Sequence, residues 1–248
     1  MVKVLAKRRF ATAPAWIEAP SADLAGSNLD LEPPVCRTVY GVILNVRQEL
    51  EALGEALDKP PYGKPPKAPV LYIKPPNTFR PHDGEVPVPA SAPVLETNAT
   101  LAVVIGRTAC RVSESDALDH VLGFTVAIDV CIPHDSLHRP AIRQRCRDGF
   151  LPIGPWITPR ESVPDPDALP VIVRINGEVR SRFTTADLVR PIARLIADVS
   201  DFMTLYQGDA LLVGLPPSGP QARAGDRVEA EIPGVGRLSC TLVEEVEA

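Results

Sequence analysis

No stretch of this sequence approaches the roughly 18 consecutive apolar residues that a membrane-spanning helix needs, so no bilayer-crossing helix is expected. The opening MVKVLAKRRFATAPAW is basic but lacks the continuous apolar core of a secretory signal; its Arg, Ala and Thr content leaves a transit peptide as the lesser reading. There is no Cys-x-x-Cys pair. The five cysteines, Cys36, Cys110, Cys131, Cys146 and Cys240, are odd in number and scattered, the usage of a cytoplasmic protein with reduced thiols. A Gly-rich phosphate loop, a G-x-S-x-G elbow and an H-E-x-x-H helix are all missing, which sets aside the chemistries those motifs support. The net charge of -5 and pI near 5.5 leave no global basic field to gather phosphate backbones or anionic lipid, so neither nucleic acid nor membrane is an expected partner. Neither an internal repeat nor a low-complexity tract is visible.

Proline is plentiful, with 28 residues where average usage of about 5% gives roughly a dozen. The prolines cluster at 59–69, 81–93, 152–170 and 215–220. Because proline fixes φ and lacks a backbone donor, these clusters are stiff loops between many short strands. With 45% hydrophobic and 23% charged residues the chain can bury a sizeable core, and one large β-rich domain is the simplest organisation.

Residues 1–37 show no sustained periodicity and read as a partly irregular leader with at most an edge strand; packing is expected to start at 38 and run to 248. The apolar, β-branched runs 39–44, 70–73, 101–105 and 124–130 predict buried strands. VRQELEALGEALD predicts a helix with Leu50, Leu53 and Leu57 inward, stopped by Pro60 and Pro61. SESDALDHVLG predicts a short helix capped by Ser113 or Ser115, with Val121 and Leu122 on its inner face. Val171–Ile175 meets Asn176-Gly177, a strong two-residue hairpin signal because both positions tolerate positive φ. After Pro191, the spacing of Ile192, Leu195, Ile196, Val199 and Phe202 marks one apolar helix face, and 210–213, 227–232 and 238–243 return to strands.

Three features carry chemistry. DVCIPHDSLHRP brings Asp129, His134, Asp135 and His138 within ten residues; the histidines are read either as a metal-binding pair or as part of a polar loop. Asp129 ends an apolar strand, where a carboxylate needs a cation or donors to offset its desolvation. Lys74 ends a strand before Pro-Pro-Asn, placed either to bind an anion in a cleft or to sit in solvent. Arg139, Arg143, Arg145 and Arg147 make a locally basic segment whose guanidinium forks suit carboxylates, unless nearby aspartates satisfy them at the surface.

The segments VYGVILN, LYIKPPNT, LAVVIGR, LGFTVAIDV, RCRDGFLPIGPWI, VRINGEVRSRFTTADL, LIADVSDFMTLYQGD and AGDRVEAEIPGVGRL, in this order, resemble the fumarylacetoacetate hydrolase superfamily from about residue 38 to 245. KPPYGKPPKAPVLYIKPPNT and HRPAIRQRCRDGF are most similar to the amino-terminal half of members that decarboxylate and isomerise the ring-cleavage product of homoprotocatechuate. The resemblance implies a mixed α+β, β-rich fold, a β-roll with short flanking helices. It also implies a small oxo-dicarboxylate or oxo-tricarboxylate ligand chelated by a divalent metal, usually Mg2+, in a homo-oligomer or a hetero-oligomer with a paralogous subunit.

By the same resemblance Lys74 and Arg145 occupy catalytic and substrate-binding positions, Asn45, Arg147 and Thr185 substrate-binding ones, and Asp129 a metal position. The other two metal positions, a Glu-x-Glu pair in the family, hold Asn98 and Thr100, so weak Mg2+ binding is expected because hard cations are held chiefly by carboxylate oxygens. The family's histidine falls on Glu49, its lysine before R-D-G on Arg145, and its G-T-P on Gly214-Leu215-Pro216, whereas Asn45, Lys74, Asp148, Asn176 and Asp187 match. The expected activity is that of a decarboxylase/isomerase component. The alternatives are a non-catalytic partner of a metal-competent paralogue and an acylpyruvate-type C–C hydrolase.

Overall fold

The two longest apolar runs become neighbours. In the computed structural model, which describes residues 2–19, 30–35, 37–60, 63–134 and 141–246, strand Leu95–Ile105 pairs antiparallel with strand Val121–Cys131, Asn98 lying opposite Asp129 and Thr100 opposite Ala127. Both strands are covered on both faces over nearly their whole length, which is why their sequences run continuously apolar instead of alternating.

Around this pair the main sheet runs in the order Ala15–Ala19, Val2–Arg8, Leu151–Pro159, Val121–Cys131, Leu95–Ile105, Ala210–Leu212, Val39–Ile43 and Val70–Lys74. The sheet curls until its far edge returns. Beyond Lys74 the chain makes one 3-10 turn and enters the short strand Phe79–Arg80, which pairs in parallel with Leu151 and Pro152, so the sheet closes into the expected roll. Closure hides an otherwise exposed edge and brings the end of Val70–Lys74 against the end of Val121–Cys131.

A second sheet, in the order Glu178–Thr184, Pro170–Ile175, Arg227–Ile232, Gly236–Glu244 and Gly84–Val88, covers one face of the first. The hairpin predicted at Asn176-Gly177 is present, with φ of 53° and 82° at its two turn residues. Helix Ile192–Phe202 buries Ile192, Leu195, Ile196 and Val199 in the same core, each worth about 1.5–3 kcal/mol of apolar burial.

Four expectations need correction. The first 37 residues are not wholly outside the packed body: Val2–Arg8 joins the main sheet through Leu5 opposite Ile157, and Val4, Ala6, Ala19, Leu31 and Trp156 form a small core there. The helix predicted over 46–58 is α-helical only over Arg47–Leu53 and continues as a 3-10 turn after Gly54, whose positive φ ends the regular helix. The helix predicted around 115–122 shrinks to a 3-10 turn, Ala117–His120, because Val121 and Leu122 are recruited into the long central strand. Phe202, predicted to face inward, is 60% exposed as the last residue of its helix. No helix among the described residues is long and apolar enough to cross a membrane.

Candidate active site

Strand Val39–Ile43 ends at Leu44, held in the left-handed region at φ 60°, and the turn aims the Leu44 amide back at helix Arg47–Leu53. That amide donates to the Glu49 carboxylate at 2.5 Å. Glu49 is 8% exposed, and burial pushes its pKa up to about 7, against the opposing pull of the Leu44 and Asn45 amides and the Arg145 charge. A carboxyl so placed is close to half-protonated near neutral pH and suits proton transfer.

On strand Val70–Lys74, Tyr72 and Lys74 lie two residues apart and share a face. The Tyr72 ring lies across Gly41, its opposite number on the neighbouring strand, where a Cβ would fall 1.9 Å from the ring; only glycine leaves room for the ring. From there Tyr72 donates its hydroxyl to Asp129. Lys74 is fully buried, with its ammonium 3.0 Å from Asp129 and donating to the carbonyls of Val130 (2.8 Å), Arg145 (2.8 Å) and Phe150 (2.9 Å). Burial pulls the Lys74 pKa down, and Asp129 counteracts it. Burial and the neighbouring Asp129 charge together raise the Tyr72 pKa, so it remains a phenol.

Asp129 also accepts from the Arg145 guanidinium at 3.4 Å, which lies over the Tyr72 ring at 4.8 Å. Burial opposes the charge on Arg145, but Asp129 together with Tyr72, Cys131 and Glu49 outweighs it and the pKa is raised. Lys74 thus grips the backbone of Arg145 while Asp129 and Tyr72 hold its side chain, and these formal charges leave one net positive charge.

Arg145 forms one wall of a cavity of about 250 Å³, with Glu49, Glu96, Asn98, His134 and the 215–218 turn around it. Burial raises the pKa of Glu96, while Arg145 and His134 lower it. The Asn98 amide oxygen is buried without a donor among the described residues, and Gly219 passes so close that a Cβ there would be 2.8 Å from the amide nitrogen. A larger surface groove of about 1050 Å³ around Arg80 and Asp83 is less suited to chemistry: Arg9 pairs with Asp30, Asp83 with Arg227, and Arg80 donates to backbone carbonyls.

Residues 38–243 match the family described as fumarylacetoacetate (FAA) hydrolase C-terminal. This chain belongs to the fumarylacetoacetate hydrolase family. It is 40% identical over 210 residues to the 4-hydroxyphenylacetate degradation bifunctional isomerase/decarboxylase of Escherichia coli, covering 85% of this chain and 48% of that protein. The chain therefore spans about half the length of the curated relatives it matches first. The solved structure of 5-carboxymethyl-2-hydroxymuconate delta-isomerase from Mycobacterium smegmatis is similar with a TM-score of 0.81 at 26% identity, over 100% of both chains. Fumarylpyruvate hydrolase from Pseudomonas aeruginosa, solved with Mn2+ and pyruvate, gives 0.74 at 25% identity over 92% of this chain and 99% of that one.

Within this fumarylacetoacetate hydrolase fold, the three positions that the resemblance assigns to a divalent metal do not fit one. Asn98 and Thr100 are neutral, and the Thr100 hydroxyl donates to the Gly214 carbonyl at 2.7 Å. Asp129 is already shared by Lys74, Arg145 and Tyr72. No cluster of three or more His, Cys, Asp or Glu side chains able to hold a metal occurs among the described residues.

The other sequence candidates are dispersed. Asn45 is buried, donating to the Val213 and Arg190 carbonyls and accepting from the Arg190 amide, and so clamps the loop beside the cavity. Thr185 donates to the Pro166 carbonyl and accepts from the Leu169 amide, in a buried turn. Arg147 pairs with Glu245 at 2.7 Å in a half-exposed position. Asp148 accepts from Asn77, bracing the turn after Arg145. His134 joins the cavity wall, whereas Asp135, His138 and Arg139 lie outside the described residues, as does Cys36; Cys110, Cys131, Cys146 and Cys240 carry free thiols. Tyr72 and Glu96 were not singled out by sequence. The available signals were Gly41 on the neighbouring strand and the two-residue spacing that puts Glu96 on the Asn98 face.

Proposed function

We propose that the chain is a decarboxylase/isomerase component acting on 5-carboxymethyl-2-oxo-hex-3-enedioate, on 2-hydroxyhepta-2,4-diene-1,7-dioate, or on both. The observation that carries this reading is the placing of a fixed guanidinium, Arg145, and a buried carboxyl, Glu49, in the walls of one cavity. Arg145 would hold the carboxylate next to the 2-oxo group. For decarboxylation, the C–C bond to the departing carboxylate breaks, its electron pair passes through the conjugated alkene to the 2-oxo oxygen, and carbon dioxide leaves. For isomerisation, Glu49 would take a proton from one end of the conjugated system and return it at the other. Lys74 acts through Asp129 and the Arg145 backbone as a positioning residue. The names of the relatives in the 4-hydroxyphenylacetate pathway support this substrate class, and a cytoplasmic setting suits such an acidic small-molecule enzyme.

Turnover of the pure chain tests the reading. Loss of the dienoate's ultraviolet absorbance should follow addition of the chain and fall strongly in Glu49→Gln. The saturated Asp129 favours a second reading, a non-catalytic partner of a metal-competent paralogue. Absence of turnover by the chain alone, with activity gained on adding such a paralogue, would replace the first reading with the second.

A further inference from the structure

We propose that the Arg145 guanidinium takes the place of a divalent cation in this site, so that the cavity binds the enol of a 2-oxo acid without metal, its carboxylate on Arg145 and its 2-hydroxyl on Asn98. The ligand class rests on the reading above; the substitution of cation rests on the geometry of this chain.

Four observations converge. The Asp129 carboxylate already accepts from Lys74, Tyr72 and Arg145, so a dication there would stand against two fixed positive charges on one buried carboxylate. Arg145 has five N–H donors, and among the described residues its hydrogen bond goes to Asp129 alone; the side chain is 13% exposed and faces the cavity. Its remaining donors form a fork that matches a carboxylate, held ready by Tyr72 and by Lys74 on its own carbonyl. The Asn98 oxygen is buried with no donor among the described residues, and Asn98, 93% covered, is one of the residues around the same cavity. A carboxylate at that position would draw a cation by its charge; the neutral amide oxygen lacks that charge and accepts an ordinary hydrogen bond, which an enolic hydroxyl can donate. The net positive charge of the Lys74, Asp129 and Arg145 group is answered by one ligand carboxylate.

The test is calorimetric titration of the full chain with 2-oxoheptanedioate, once in EDTA and once in excess MgCl2, together with titration of the free chain by Mn2+ followed by paramagnetic resonance. Equal affinity for the diacid within about twofold in both buffers is expected, with no Mn2+ site tighter than the millimolar range. Arg145→Gln should weaken binding in EDTA by about ten- to a hundredfold. If that variant does not fold, Arg145→Lys, which keeps charge and loses the fork, should weaken it by about tenfold or more. Binding that appears only with MgCl2, a tight Mn2+ site, or unchanged affinity in a folded Arg145 variant would overturn the proposal while leaving the ligand class standing. Binding in neither buffer would overturn the ligand class and, with it, the function proposed above.

Discussion

On the Asp129 wall of the cavity the buried polar groups answer one another: one carboxylate meets an ammonium, a guanidinium and a phenol, and the ammonium also meets three carbonyls. Elsewhere in the cavity lining the account is incomplete. Asn98, beside Asp129 on the neighbouring strand, has an acceptor without a donor among the described residues, and Glu49 is held by backbone amides with burial raising its pKa to about 7. Charges on the satisfied wall hold the roll closed and fix Arg145; the Asn98 oxygen and the raised Glu49 carboxyl are the groups left to meet something that enters. The same degree of burial therefore marks structure on one side and reactivity on the other, and the partners of each atom, not its depth, distinguish them.

Breaking the satisfied wall should cost most. Lys74→Met takes the ammonium away from three carbonyls, of which Phe150 keeps the Val130 amide, and removes one of the two cations on Asp129; a loss of about 3–5 kcal/mol in urea unfolding is expected. A loss under about 1 kcal/mol would show that the wall is no more than surface-like. On the other wall, Glu49 carries a pH signature. Its folded pKa of about 7 lies above the ordinary 4.5, so the native state holds this proton more tightly than the unfolded chain does. The resulting stability is complete below about pH 4.5 and disappears as pH rises through 7, roughly 3 kcal/mol in all. Glu49→Gln should abolish that slope, which chemical denaturation at several pH values would reveal; parallel slopes for the two proteins would remove Glu49 from the list of poised acids.

Smaller effects sharpen the contrast. Asn98→Leu removes an unanswered acceptor along with a long 3.5 Å bond from the amide nitrogen to the Pro216 carbonyl, so the melting temperature should change little, within about 1 kcal/mol; a larger loss would mean that the amide is more fully bonded than these contacts show. Arg147, two residues beyond Arg145, pairs with Glu245 where both are partly in solvent; Arg147→Ala should cost less than about 1 kcal/mol, should depend on salt, and should leave diacid binding unchanged. Weakened binding in that variant would extend the site toward Glu245.

Much of the roll was readable locally. Continuous apolar runs such as 124–130 report burial on both faces, and Asn176-Gly177 reports a turn, because pleat and φ preference act within a few residues. Local reading failed where distant partners intervened. Val121 and Leu122 have helical neighbours but were claimed by an eleven-residue strand, and the first residues form strands because Leu5 finds Ile157. The site shows the same division. Asp129 and Arg145 were visible as a strand-end carboxylate and a basic segment, yet that they face each other could not be read from sixteen residues of separation.

Residue identity alone determined that positions 98 and 100 carry neutral side chains and that Lys74 and Arg145 supply cations, because charge and donor type belong to the side chain. Whether Lys74 would meet solvent, substrate or Asp129 depended on the curl of the sheet, which carries Val70–Lys74 around to the end of Val121–Cys131. The upward pull on the Glu49 pKa depended on the fold in the same way, since desolvation is a property of what packs around a carboxyl and not of the carboxyl itself.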